Sequence, residues 1–232
     1  MSLLKKEIEI EFREKVRETT DIYSFIFEKP KGLTWIPGQH AIFRNLECKA
    51  KSDKNYRIFS LASIVEENMV MFSTRITPES TECKKKLLEL KKGDKLIIEE
   101  PQGEFLLADY DKPIFIIVGG VGITPVRSFL MNMDSKSINP KRVEVLYADD
   151  RGEFAYQDTL RWLDKRHEGL HLHLIPNRNI FIKKIEEVSK EMKNNALYYV
   201  SGTPGMNAII MEKLLEMGII KENIKTDNFI GY

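Results

Sequence analysis

Ile114-Phe115-Ile116-Ile117-Val118-Gly119-Gly120-Val121-Gly122-Ile123-Thr124-Pro125 decides the reading of this chain. Its five leading apolar residues predict a strand buried on both faces, as in a parallel sheet covered by helices. The glycines that follow predict a turn opening a helix. Without a Cβ they let a backbone come close to a pyrophosphate, and the free amides and dipole at the start of the next helix favour an anion. Pro125 suits the first turn of that helix, where a missing N–H is no loss. Taken alone the turn is weak evidence, because glycine-rich loops after strands also serve as plain connections.

Downstream, strand and helix periods alternate: strand 114–118, helix 124–133, strand 143–148, helix 156–166, strand 170–175, helix 180–193, strand 197–200 and helix 204–217. That alternation predicts an α/β doubly wound parallel sheet. Upstream, short β-rich pieces over 7–12, 22–27, 40–43, 57–61, 69–75 and 95–99 predict a small antiparallel β-barrel, interrupted by one helix over 81–90 that ends at Lys91-Lys92-Gly93-Asp94. The period changes near Asp109-Tyr110-Asp111-Lys112-Pro113, so the expected domains are 1–110 and 111–232.

Within the barrel half, Arg57-Ile58-Phe59-Ser60-Leu61-Ala62-Ser63 joins a cation, an aromatic ring and two hydroxyls on one extended stretch. Alternation puts Arg57 and Phe59 on one face, Ile58 and Ser60 on the other. Three further pieces stand in order: Pro37-Gly38-Gln39, Pro101-Gln102-Gly103-Glu104-Phe105 and Ser201-Gly202-Thr203-Pro204-Gly205-Met206. With these five motifs the chain resembles the ferredoxin-NADP reductase family of flavoproteins from about Phe12 to Tyr232. Their flavin stretch reads Arg-x-Tyr-Ser and their nicotinamide stretch Gly-Gly-x-Gly-x-x-Pro.

The resemblance implies an FAD-binding barrel followed by an NAD(P)-binding domain. It gives Arg57 to the flavin pyrophosphate, Phe59 to the isoalloxazine ring and Ser60 to its N5, with Ile58 beside them. Phe59 departs from the family's Tyr and loses the phenolic hydrogen bond. Relatives use Gly and Ser or Thr at the start of the helix near Thr81. This chain offers Thr81 and Lys84 instead, after Arg75-Ile76-Thr77, where Arg75 is a second flavin contact. Gly119, Gly120 and Gly122 go to the nicotinamide cofactor's pyrophosphate and Thr124, beside Pro125, to its ring. Ser201, where relatives carry Cys, touches the nicotinamide region together with Gly202, Thr203 and Met206. Asp149, after the second strand of this sheet, accepts from ribose hydroxyls and repels a 2′-phosphate, which favours NADH. Arg151 is able to do the opposite, while Gln157 takes a place that is basic in NADPH-preferring relatives. A terminal ring, Phe229 or Tyr232, covers the flavin face that the nicotinamide must reach.

Composition suits a soluble globular protein: 232 residues, 42% hydrophobic and 31% charged, are enough for one large or two ordinary domains. Net charge is +1, and residues 1–110 hold 19 basic and 19 acidic side chains against 17 and 16 in the remainder, so neither half binds nucleic acid by charge. Lysines cluster at Lys49, Lys51 and Lys54 and at Lys84-Lys85-Lys86 with Lys91 and Lys92, reading as solvated surface or as a docking patch for an acidic protein. No run reaches the roughly 20 apolar residues a bilayer needs, and Lys5-Lys6 before Glu7-Ile8-Glu9-Ile10 reads as a first strand rather than a signal peptide, so a cytoplasmic protein is expected. Cys48 and Cys83 are read as isolated thiols, too few for an iron-sulfur cluster. His171 and His173 are read as filler rather than metal ligands, and no metal is expected. The expected activity is hydride transfer from NADH or NADPH to FAD, then single electrons to a protein such as ferredoxin or flavodoxin. Two alternatives stand beside it: a flavin or quinone reductase or oxygenase reductase component, and a non-catalytic nucleotide-binding subunit.

Overall fold

A computed structural model of the chain describes residues 7–44, 56–107 and 109–229. Two compact units divide at Leu106 and Leu107, slightly ahead of the Asp109–Pro113 stretch.

The first unit is an antiparallel sheet of β1 (Glu7–Arg17), β2 (Ile22–Glu28), β3 (His40–Arg44), β4 (Tyr56–Ser60), β5 (Met69–Arg75) and β6 (Lys95–Glu99), in the order β4-β3-β6-β1-β2-β5. A bridge between Leu61 and Phe72 joins the two ends of that order, which closes the sheet into a barrel. β1 serves two partners: Glu7–Glu11 pair with β6, and from Phe12 onward the strand pairs with β2, with a register shift between Phe12 and Glu14. Sequence periodicity ends this strand at Phe12, yet it runs to Arg17. Residues 13–17 are all exposed, so their ladder leaves no apolar alternation to read.

Phenylalanine fills the barrel. Phe72 is fully buried, with ring centroids 4.2 Å from Phe59, 4.5 Å from Phe43, 5.4 Å from Phe25 and 5.8 Å from Phe27. Such pairs each add about 0.5–1.5 kcal/mol beyond the area they bury. The helix expected over 81–90 is shorter: α1 (Glu82–Lys86), followed by a 3-10 turn at Leu87–Glu89. Cys83, read as an isolated thiol, is instead disulfide-bonded and fully buried, while Cys48 lies outside the described residues, as do Lys5, Lys6, Lys49, Lys51 and Lys54.

The second unit alternates β7 (Ile114–Gly119), α2 (Ile123–Ser135), β8 (Val143–Ala148), α3 (Gln157–Arg166), β9 (Leu170–Ile175), α4 (Arg178–Met192), β10 (Leu197–Gly202), α5 (Pro204–Glu216) and β11 (Ile224–Asn228). All five strands are parallel, in the order β11-β10-β7-β8-β9. The chain moves outward from β7 to β9, then returns to lay β10 on the other side of β7. The direction of winding therefore reverses between β7 and β10, and open α/β sheets bind ligands outside the carboxyl ends at such a point. β11 is a strand that sequence reading takes for part of the tail. Ile224-Lys225-Thr226-Asp227-Asn228 is an edge strand with Ile224 alone buried, too polar to stand out by periodicity. Side-chain caps begin the last two helices: Asn177 accepts from the amides of Asn179 and Ile180, and Thr203 from that of Met206, with Pro204 opening α5. No helix among the described residues is long and apolar enough to cross a membrane.

Candidate functional site

In the first unit, β4, β5 and α1 bring three cations together. Arg57, on β4, donates from Nη2 to Thr81 Oγ1 at 2.8 Å, just before α1 begins. Lys84, buried on α1, reaches the Arg75 carbonyl at 3.5 Å, and Arg75 lies 3.2 Å from Asp21 Oδ1. Burial first, then the Arg57 and Arg75 guanidinium groups, push the Lys84 ammonium down to about 8 from its ordinary 10.5. All three influences act in the same direction. Four charged groups, Arg57, Arg75 and Lys84 against Asp21, thus sum to +2, the complement of a diphosphate. Of the lysine run read as solvated surface, Lys84 at least is a buried part of this cluster.

Other predicted flavin residues are placed differently. Arg57 and Phe59 do share a face, but it is the barrel's inner face: Phe59 is 6% exposed and stacks on Phe72 with ring planes 3° apart. This departs from a ring offered to a ligand; the outward apolar side chain of β4 is Ile58, 54% exposed. Ile76 is also in the barrel core. Ser60 is buried, and the Thr77 amide donates to Ser80 Oγ at 2.9 Å, shaping the turn before Thr81.

In the second unit the two predicted nucleotide turns meet. Gly119 and Gly202 end the neighbouring strands β7 and β10, with Val118 in register with Ser201. Gly120 takes φ +52°, in the left-handed region that favours glycine. Gly122 packs against the β10 backbone so closely that a Cβ would strike the Ser201 carbonyl. Ser201 is fully buried and donates its hydroxyl to the Gly122 carbonyl at 2.9 Å, tying the two turns. Thr124 is equally buried and donates to the Val121 carbonyl at 2.7 Å, while Pro125 is buried within α2. Both hydroxyls therefore shape the turn from within. Met206 leans over Gly119 and Gly202, and the Phe229 amide donates to the Gly202 carbonyl at 2.9 Å, bringing the end of β11 to the same turn. Tyr232 lies outside the described residues.

Asp149 stands just beyond the carboxyl end of β8 and is 7% exposed. Its Oδ1 accepts from the Arg151 amide at 3.0 Å, and Arg151 Nε lies 4.0 Å away, so the basic side chain is drawn to the acidic one. Sequence reasoning missed Arg127. This α2 residue is 7% exposed, and its guanidinium sits 5.5 Å from the ring centroid of Tyr156, which holds φ +60° at the start of α3. One cation on a helix otherwise buried through Ile123, Val126, Phe129 and Leu130 was the available signal. His173 Nε2 lies 2.8 Å from Glu144 Oε2, a partner on the neighbouring strand.

Residues 116–212 match the family described as Oxidoreductase NAD-binding domain. The chain is 28% identical over 204 residues to a component of the Na(+)-translocating NADH-quinone reductase of Yersinia enterocolitica, an alignment covering 78% of this chain and 50% of that protein. It spans about half the length of the curated relatives it matches. Among solved structures, a mutant ferredoxin-NADP+ reductase from Plasmodium falciparum with 2'P-AMP superposes with TM-score 0.81 at 15% identity, covering 97% of this chain and 98% of that one. A ferredoxin NADP+ reductase from Neisseria gonorrhoeae with bound FAD and NADP gives 0.78 at 17%, covering 96% and 98%. The fold consists of a closed antiparallel barrel and a doubly wound domain with its glycine turn at the switch point. Residues 116–212 thus match an oxidoreductase NAD-binding domain, and the whole chain shares the fold of these solved ferredoxin NADP+ reductases.

Proposed function

We propose that this protein is an FAD-dependent NADH oxidoreductase that passes electrons to a one-electron protein acceptor such as ferredoxin or flavodoxin. The observation that carries the reading is the convergence of Arg57, Arg75 and Lys84, with Lys84 held down to about 8 by its surroundings. Like charges gathered at a partly dry site cost stability unless an anion offsets them. A dinucleotide's diphosphate has the charge and the oxygens to do so, and FAD fits the site by that donor chemistry. In that role Arg57, oriented by Thr81, gives a forked contact while Lys84 supplies a point charge. Held by Arg57, Arg75 and Lys84, FAD would supply hydride acceptance from a nicotinamide and one-electron donation.

The second unit would hold the nicotinamide cofactor at its switch point, with Gly119 to Gly122 shaping the turn and Thr203 capping α5. Asp149 supports NADH over NADPH, because its carboxylate suits the ribose diol and Arg151, turned toward Asp149, has its charge partly matched. Phe229, hydrogen-bonded to the Gly202 turn, is placed in this reading as the terminal aromatic residue of the site.

A second reading is favoured by the relatives, which are NADH-quinone reductase components: the electrons then go toward a quinone, with this chain as the reductase part of a larger assembly. Purified protein mixed with FAD and freed of excess by gel filtration should keep about one flavin per chain, and Arg57→Ala should lose it. Wild-type protein that keeps none would sink the proposal. With flavin bound, NADH-driven reduction of a ferredoxin but not of a quinone analogue separates the first acceptor reading from the second.

A further inference from the structure

Three of the four glycines at the switch point leave space that the protein itself fills. Gly122 is small because the turn packs on the Ser201 backbone, which has nowhere to go. Gly119 and Gly202 are different. A Cβ on Gly119 would strike Met206 Sδ, and one on Gly202 would lie 2.9 Å from the same sulfur. These two glycines end adjacent parallel strands, so together they form one notch at the carboxyl edge of the sheet, and the Met206 thioether sits in it. Met206 is half-buried in the first turn of α5 and unbranched, with rotatable bonds that let its sulfur leave. A ligand that uses this notch to approach the backbone cannot share it with the sulfur.

We propose that Met206 is a movable occupant of the dinucleotide crevice, seated in the notch between Gly119 and Gly202 and displaced when a nicotinamide dinucleotide binds. This rests on the reading of the second unit as the NADH site. Only the fraction of molecules with the notch open binds directly, so apparent affinity is reduced by that fraction. Met206→Ala removes the occupant and should tighten NADH binding about 3–10-fold, as for a notch filled most of the time.

The test uses the full chain labelled with [methyl-13C]methionine, the Met206 resonance being identified by its loss in Met206→Leu. Adding ADP-ribose or NADH should shift that methyl signal, and Met206→Ala should bind NADH more tightly. A methyl signal that stays in place while the wild type binds nucleotide, or weaker binding by Met206→Ala, overturns the inference and leaves the site reading intact. A wild-type chain that binds no NADH overturns the site reading itself.

Discussion

Replacing Lys84 with Met should stabilise the flavin-free protein and weaken its hold on FAD. Lys84 holds its proton at about 8 in the folded state against an ordinary 10.5, a difference of about 2.5 pH units. At 1.36 kcal/mol per unit, a charged Lys84 costs on the order of 3 kcal/mol of folding stability. The sign follows from proton counting. Between pH 8 and 10.5 the folded protein binds fewer protons at this site than the unfolded chain, so stability rises with pH through that window and carries the whole cost below pH 8. Lys84→Met should therefore raise the unfolding free energy of the flavin-free protein at pH 7 by up to about 3 kcal/mol and flatten its pH dependence from 8 to 10.5. At the proposed diphosphate site it would also remove a charged contact worth about 1.5–3 kcal/mol, so FAD should bind roughly 10- to 100-fold more weakly. Guanidinium unfolding of the flavin-free protein at pH 7 and pH 10, together with FAD titration by fluorescence quenching, reads both effects. A variant less stable at pH 7, or one that binds FAD as tightly as the wild type, would refute the cation-cluster argument.

The remaining predictions concern packing and cofactor choice. Gly122→Ala puts a methyl group on the Ser201 carbonyl and should destabilise the second unit by about 2–3 kcal/mol, whereas Gly205→Ala, in α5 with nothing within 4 Å of its Cβ, should stabilise it by about 0.5–1 kcal/mol; urea melts compare the two. Asp149→Ala should raise the Kd for NADH about tenfold and narrow the preference over NADPH, measured by titration with each nucleotide. Phe72→Ala, at the centre of the phenylalanine stack, should cost about 3–5 kcal/mol by chemical denaturation.

Much of the fold is legible in the sequence because both units advertise their period. Ile114–Val118 is apolar throughout, which only a strand covered on both faces tolerates, and Glu7-Ile8-Glu9-Ile10 alternates as a half-buried barrel strand must. The reading fails where side chains carry no pattern. Residues 13–17 extend β1 through backbone pairing with every side chain exposed, and β11 joins the sheet as a polar edge. Charge pattern misleads in a similar way at Lys84, which sits in a run of three lysines but turns inward from a single helical turn. The family resemblance singles out Arg57, Thr81, Gly122 and Ser201 without showing how they meet. That Arg57 bonds Thr81, or that Ser201 turns its hydroxyl to Gly122, depends on chain segments far apart in sequence, which no local pattern encodes. Phe59 is the clearest instance: alternation places it beside Arg57, and only the closed barrel shows that this face is the core.

In the proposed function, NADH delivers a hydride to flavin bound by this chain. An anaerobic absorbance spectrum of the FAD-loaded protein, titrated with NADH and separately with NADPH, tests it directly. The flavin band should bleach with NADH at lower concentration than with NADPH. Flavin that stays bound and oxidised under excess of both nucleotides would contradict it and leave a non-catalytic nucleotide-binding subunit in its place.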